Sequence, residues 1–353
     1  MTCYPATLSG CPGAEDLQFV YGVATPSGTP AGTIVILSGM GGTTASDSPS
    51  DVTYVQYYLS KGYQVVQIAW GPTAPGIAWE YTNVSTGTNP PNIRVAACRP
   101  ASFLNWVRNG SSPGSVGIWG GNGGMCAQGE SAGGAAAAYA LAWYNAGAAT
   151  ASFGAGYLDK VLFKSGPTLS DIERGCQVPN NQYAQICSGS SQVGCVGWNA
   201  QEPPGDSLEY VQGAQDSVNS WSGNTNSPAC GNNMQNGTTT YNTQWLKMSI
   251  VDFTETQLPS FNYPKTAISA WLCETTAPGT PPNNSQSQGQ IFYQQFTSFS
   301  QLPFQGYSVN AVAGCPNNPE DVDNGTVAAT GQKGITAIEN DMTTGAAACL
   351  SRH

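Results

Sequence analysis

The sequence predicts an α/β protein, with a mostly parallel central sheet, flanking helices and a disulfide-containing insertion. Three observations carry this reading. Continuous apolar runs such as 33–37 and 64–69 have the character of strands buried on both faces, as a parallel sheet requires. Strand-like and helix-like stretches alternate through both ends of the chain. Between 170 and 263 the texture changes to four cysteines, scattered Gln and Asn, Trp198, Trp221 and Trp245, with little periodicity, as expected of an insertion between core strands. The expected organisation is therefore a core over 1–169, a Cys-containing cap over 170–263 and the rest of the core over 264–353.

In chain order, residues 1–16 read as a turn-rich entry, and 17–24 alternate as a first antiparallel strand. A turn over 26–32 leads into strand 33–37, which empties into Ser38-Gly-Met-Gly-Gly-Thr43. Those glycines expose backbone N–H groups at the strand's carboxyl end. Residues 51–61 place Val52, Val55, Tyr58 and Leu59 on one helical face, with Gly62 as the stop, and strand 64–69 completes a βαβ unit. The loop over 70–95 carries Trp79 and Tyr81 and lies where an open α/β sheet has its crevice. Pro100 opens a helix whose Phe103, Leu104, Trp106 and Val107 face inward. Residues 125–144 read as a short strand, a glycine-pinched turn and a helix. Further strands are expected over 160–165, 266–272 and 307–313, with a helix near 289–299 between the last two. A closing helix over 330–344 ends at Gly345.

Composition excludes several function classes. The chain has 353 residues, of which 9% are charged, and a net charge of −10, so nothing here would neutralise a run of phosphates and no nucleic-acid partner is expected. No apolar run approaches the roughly 20 residues that cross a bilayer. The eleven cysteines contain no CxxC pair and the only histidine is His353, so a zinc cluster is not expected and no metal or other cofactor is called for. A disulfide framework in an oxidising compartment fits better, and points to a secreted or periplasmic chain. Cys3 with Cys11 and Cys187 with Cys195 are plausible local bridges, and the odd count leaves one thiol free or paired between chains.

The chemistry centres on Gly129-Glu130-Ser131-Ala132-Gly133. Its physics is steric: a serine held in a strained turn needs small neighbours where strand and helix nearly touch. A second match, Gly110-Ser-Ser-Pro-Gly114, has proline straight after its serine and no strand before it, and reads as a surface turn.

The order of glycine loop, elbow, insertion, two strands and closing helix resembles the α/β-hydrolase fold. Residues 97–107 and 126–134 resemble a group of secreted bacterial hydrolase-like proteins. They are also distantly similar to secreted feruloyl-esterase and polyester-depolymerase types. The resemblance implies acyl transfer to Ser131, with the oxyanion held by the N–H of Ala132 and one from Met40 or Gly41. The expected partner is an ester-containing small molecule or polymer.

In the family the base is a histidine in the loop after the last strand. Here that loop, 314–325, offers Glu320, Asp321 and Asp323 instead. His353 becomes the candidate base if the tail returns to the active edge, which a Cys315–Cys349 bridge would force. Glu274, directly after the strand before last, is the candidate acid. Asp321-Val-Asp-Asn-Gly325 also resembles a fragment of a calcium loop without its later glutamate. The alternative reading is a catalytically degenerate hydrolase fold serving as an extracellular binding or self-assembling protein, since so little surface charge leaves chains with weak mutual repulsion.

Overall fold

A computed structural model describes residues 1–14, 16–39, 49–70, 79, 93–110, 117–144, 156–170, 248–251, 263, 265–274, 289, 292–293, 307–315, 321–346 and 348–351. Eight strands form one sheet in the order β1-β2-β4-β3-β5-β6-β7-β8. They are β1 (Thr2–Leu8), β2 (Leu17–Ala24), β3 (Gly32–Leu37), β4 (Gln64–Ala69), β5 (Gly124–Glu130), β6 (Lys160–Lys164), β7 (Ala267–Glu274) and β8 (Tyr307–Ala313). Every pairing from β4 through β8 is parallel, while β2 is antiparallel to both β1 and β4. The helices are α1 (Pro49–Ser60), α2 (Ile93–Ala96), α3 (Cys98–Asn109), α4 (Ala132–Tyr144) and α5 (Gly334–Thr343).

Burial explains why the central strands read as unbroken apolar runs. Val35, Leu37, Val66, Ala127 and Phe163 pack on one face with α3 and α4, and Ile34, Ile36, Val65 and Leu162 pack on the other with α1 and α5. Neighbours in one strand thus face opposite helical layers, and neither face has room for a polar alternation. Helix α4 is apolar all round because it too is enclosed. Tyr139 Oη donates to the Met248 carbonyl, and the Trp143 indole donates to the Ile250 carbonyl.

Two elements depart from expectation, the short helix α2 at the end of what reads as a loop over 70–95 and the first strand. The entry read as turns contains β1, paired with β2 from Thr2↔Val23 to Leu8↔Leu17. Being an edge strand exposed along most of its length, β1 carries no hydrophobic alternation for a periodicity argument to find. Of the insertion expected over 170–263, only Ser170, 248–251 and Tyr263 are described, and the Ile250 and Val251 N–H groups bond back to Leu169 and Ser170. The second elbow-like match at 110–114 lies outside the described residues after Gly110.

Helix α5 is locked to the sheet by a buried ion pair. Lys160, fully buried on β6, donates to Asp341 Oδ1 at 2.5 Å and to its carbonyl at 2.6 Å. The same carboxylate accepts from Ser269 Oγ at 3.2 Å and from the Trp271 indole at 2.8 Å. Removing one member of such a pair strands a buried charge, so Asp341→Ala is expected to cost about 3–5 kcal/mol by urea unfolding. The double change Lys160→Met with Asp341→Leu should cost much less, and equal losses would refute this account.

Glu339, on the same helix, is almost fully buried, and desolvation followed by repulsion from Asp323 raises its pKa to about 7. A carboxyl with a raised folded pKa keeps more protons folded than unfolded, so its contribution is fully present below about pH 4.5 and is lost as pH rises through about 7. Wild type should therefore lose stability over that window, on the order of 2 kcal/mol from this group. In Glu339→Gln that part of the pH dependence of the urea midpoint should disappear.

Disulfides join Cys11 to Cys98, Cys126 to Cys349 and Cys273 to Cys315. The pairing differs from the local expectation: Cys11 bonds to α3, and Cys3 is free and exposed on β1. Nor is Cys315 bonded to Cys349. Instead Cys315 ties the turn after β8 to the end of β7, and Cys349 holds the tail on β5. Cys187 and Cys195 lie outside the described residues.

Candidate active site

The carboxyl end of β5 delivers Ser131 into the turn before α4, with φ of 47° and only 8% of its surface exposed. Positive φ is costly for a serine and persists only where the surroundings over-determine it. Here the Ser131 N–H donates to the Lys164 carbonyl of β6 at 3.1 Å, and the Ser131 carbonyl accepts from Ala135 N at 3.1 Å to start α4. The flanking glycines are there for space. A Cβ on Gly129 would lie 2.5 Å from the Gly133 carbonyl oxygen, and one on Gly133 would lie 1.9 Å from that of Leu37. The elbow is therefore pressed against the exit of β3, whose glycine loop was expected to supply oxyanion donors.

Beside the elbow sits a buried polar cluster that the motif does not contain. Lys164, with a side chain 1% exposed, places Nζ 2.6 Å from Glu130 Oε2 and 2.7 Å from Asp323 Oδ2. Asp323 lies in a 3-10 turn, Val322–Asn324, after β8. Its other oxygen accepts a hydrogen bond from Tyr54 Oη of α1. Burial, and next the Asp323 charge, push the Tyr54 hydroxyl pKa far up, so it stays a neutral donor. Because Asp323 is spent on an ammonium and a hydroxyl, it is not poised as a calcium ligand. Among the described residues no group of three or more His, Cys, Asp or Glu is placed to hold a metal.

A second wall rises from the end of β6. Ser165 repeats the elbow's geometry one strand over, with φ of 47° and its N–H donating to the Trp271 carbonyl at 3.0 Å. Gly166 packs directly on Ser131, and Tyr293 Oη donates to the Gly166 carbonyl.

The candidate residues are distributed as follows. Ser131 is at the elbow, and Ala132 is the first residue of α4, where an N–H has no carbonyl partner within its helix. Glu274 closes β7 at the same edge of the sheet. Met40, Gly41 and His353 lie outside the described residues. The tail leading to His353 can nevertheless be followed. A Cβ on Gly124, the first residue of β5, would lie 2.7 Å from the Leu350 carbonyl carbon, and Tyr63 Oη donates to the Cys349 carbonyl at 3.3 Å. Leu350 is thus at the amino end of β5 and Ser131 is past its carboxyl end, about 23 Å away at about 3.3 Å per residue. Three residues from Leu350 to His353 span about 10 Å at most. The tail thus lies at the edge of the sheet opposite to the elbow.

Lys164 went unrecognised as a site residue in the sequence, and Asp323 read only as one of three carboxylates in the loop after the last strand. The available signal was a lysine inside a strand otherwise expected to be buried on both faces, a position that a charge occupies only when paired.

The sheet order, the antiparallel β2, and a strained serine between β5 and a helix define the α/β-hydrolase fold, and this chain has it. No protein-family model matches the sequence, and no curated protein matches it. Among solved structures, the chain is similar to an α/β-hydrolase enzyme from the metagenome of Lake Arreo, Spain, at 14% identity and a TM-score of 0.46, covering 98% of this chain and 81% of that one. It is similar to carboxyl esterase 2 of the mycorrhizal fungus Tuber melanosporum at 12% identity and a TM-score of 0.43, over 96% and 84% of the two chains. A lipase/esterase from Lactobacillus plantarum has 14% identity and a TM-score of 0.41, over 88% and 91%.

Proposed function

We propose that this protein is a secreted serine hydrolase that cleaves carboxylic esters through an acyl-enzyme on Ser131. The observation that carries this reading is the whole elbow: a serine at a φ of 47° between the carboxyl end of β5 and the first turn of α4, flanked by glycines that have no room for a side chain, a strained setting of the kind that clusters at active sites. Ser131 Oγ attacks the ester carbonyl, and the oxyanion is received by the N–H groups of Ala132 and of Met40 or Gly41. The carbonyl reforms as the alcohol leaves with the serine's proton. Water then attacks the acyl-serine, releasing the carboxylic acid and restoring the hydroxyl. Glu274, at the carboxyl edge, is the acid of the site. His353 lies outside the described residues, and its role as the base is tested by whether Ser131 is still labelled in His353→Ala.

Three disulfides in the described core support an oxidising, extracellular setting. No helix among the described residues is long and apolar enough to cross a membrane.

The test is a fluorophosphonate probe together with a short-chain aryl ester. The expected result is covalent labelling of Ser131 in the wild type and none in Ser131→Ala. Well-folded wild type that neither labels nor hydrolyses the ester would overturn the reading and leave the non-catalytic alternative.

A further inference from the structure

We propose that Lys164 is a positioning residue for Ser131, gripping the elbow at its apex and at the residue before it and tying it to the turn after β8. The inference rests on the hydrolase reading above. Its basis is that one residue holds two consecutive positions by different means. The Lys164 carbonyl accepts from the Ser131 N–H at 3.1 Å, while its ammonium forms an ion pair with Glu130 Oε2 at 2.6 Å that lacks hydrogen-bond alignment. The same ammonium reaches Asp323 at 2.7 Å, and Asp323 is itself held by Tyr54 of α1. Elbow, β6 and the 3-10 turn at 322–324 therefore meet on a single nitrogen, with α1 joined through Asp323.

A buried lysine can be purely structural, as Lys160 is, and what sets Lys164 apart is its place beside the elbow. Its side chain is 1% exposed, and burying an ammonium costs several kcal/mol before any partner is met. Well-packed apolar side chains of similar volume often stabilise as well as such an ionic cluster or better. What the ions add is geometry, since an ammonium between two carboxylates fixes distances that aliphatic packing leaves loose. That matters most next to a serine in a strained conformation, which relaxes unless its neighbours hold it. Releasing Glu130 would let the elbow turn toward ordinary φ and carry Oγ off line from the carbonyl.

The test compares wild type with Lys164→Met, Lys164→Arg, Glu130→Gln and the double variant Lys164→Met/Glu130→Gln, at a temperature where circular dichroism shows each folded. Two readouts are taken: kcat and KM on an aryl acetate, and the rate at which a fluorophosphonate phosphonylates Ser131 with loss of fluoride. Lys164→Met should lower kcat and the labelling rate roughly 10–100-fold with KM changed less than about threefold, the cost of a small misplacement of a reacting atom. Lys164→Arg should recover most of the loss. The double variant should be no worse than Lys164→Met alone, because the ammonium acts through Glu130.

Folded Lys164→Met with wild-type kcat, or losses that multiply in the double variant, would overturn the inference. Should Lys164→Met fail to fold, Glu130→Gln carries the same expectation for kcat and labelling, and wild-type values for it overturn the inference. A wild type that is not labelled overturns the hydrolase reading and this inference with it. A labelled wild type matched in rate by Lys164→Met overturns the inference alone.

Discussion

Ser131→Gly is expected to be more stable than the wild type and to hydrolyse no ester. A φ of 47° is costly for any residue with a Cβ, by roughly 1–2 kcal/mol, and glycine removes that penalty. Part of the gain is returned because glycine frees the unfolded chain by about 0.4–1 kcal/mol. A net increase of about 0.5–1 kcal/mol in urea stability should remain. Ser131→Ala keeps the Cβ and so keeps the strain, and its stability should stay within about 0.5 kcal/mol of wild type. Both variants lack the proposed nucleophile and should lose on the order of 10⁴–10⁶-fold in kcat. The two together separate strain from chemistry. A Ser131→Gly protein less stable than Ser131→Ala would mean that the elbow is not strained.

Gly133→Ala is expected to produce the largest loss of stability of any single methyl group added near the site. The new Cβ would lie 1.9 Å from the Leu37 carbonyl oxygen and 2.7 Å from that of Ser38. Neither oxygen can move aside cheaply. Leu37 is paired with Gly129 in the β3–β5 ladder, so retreat would open the centre of the sheet. The clash therefore has to be met by shifting α4 outward, against a layer in which Ala135 through Leu141 have no exposed surface. A cost above about 4 kcal/mol in urea unfolding follows, in the range reserved for overpacking at a site that cannot yield. A midpoint close to wild type would show that β3 and α4 are farther apart than described.

Much of this architecture was legible without coordinates. Runs at 33–37 and 64–69 read as doubly buried strands because they are, with Ile34 and Val35 packed in opposite layers. The elbow was legible for a related reason: Gly129, Ser131 and Gly133 sit within five residues, and the steric demand that links them is local. Three features were not legible. Strand β1 is exposed along most of its length and shows no period. The bridge from Cys126 to Cys349 spans 223 residues of sequence, and nothing in either segment names the other. Asp323 read as one of three loop carboxylates until Lys164 was found beside it, 159 positions away.

By itself the sequence determined the fold class, the succession of strands from β2 to β8, and the serine at the apex of the turn after β5. These are consequences of periodicity and close-range sterics, which a few adjacent residues carry in full. Only the tertiary structure decided which cysteines pair, where the tail lies, and that a buried lysine joins the elbow to the turn after β8. Those outcomes depend on which strands become neighbours in the sheet, and short-range physics along the chain holds no record of which distant segment a given face will meet.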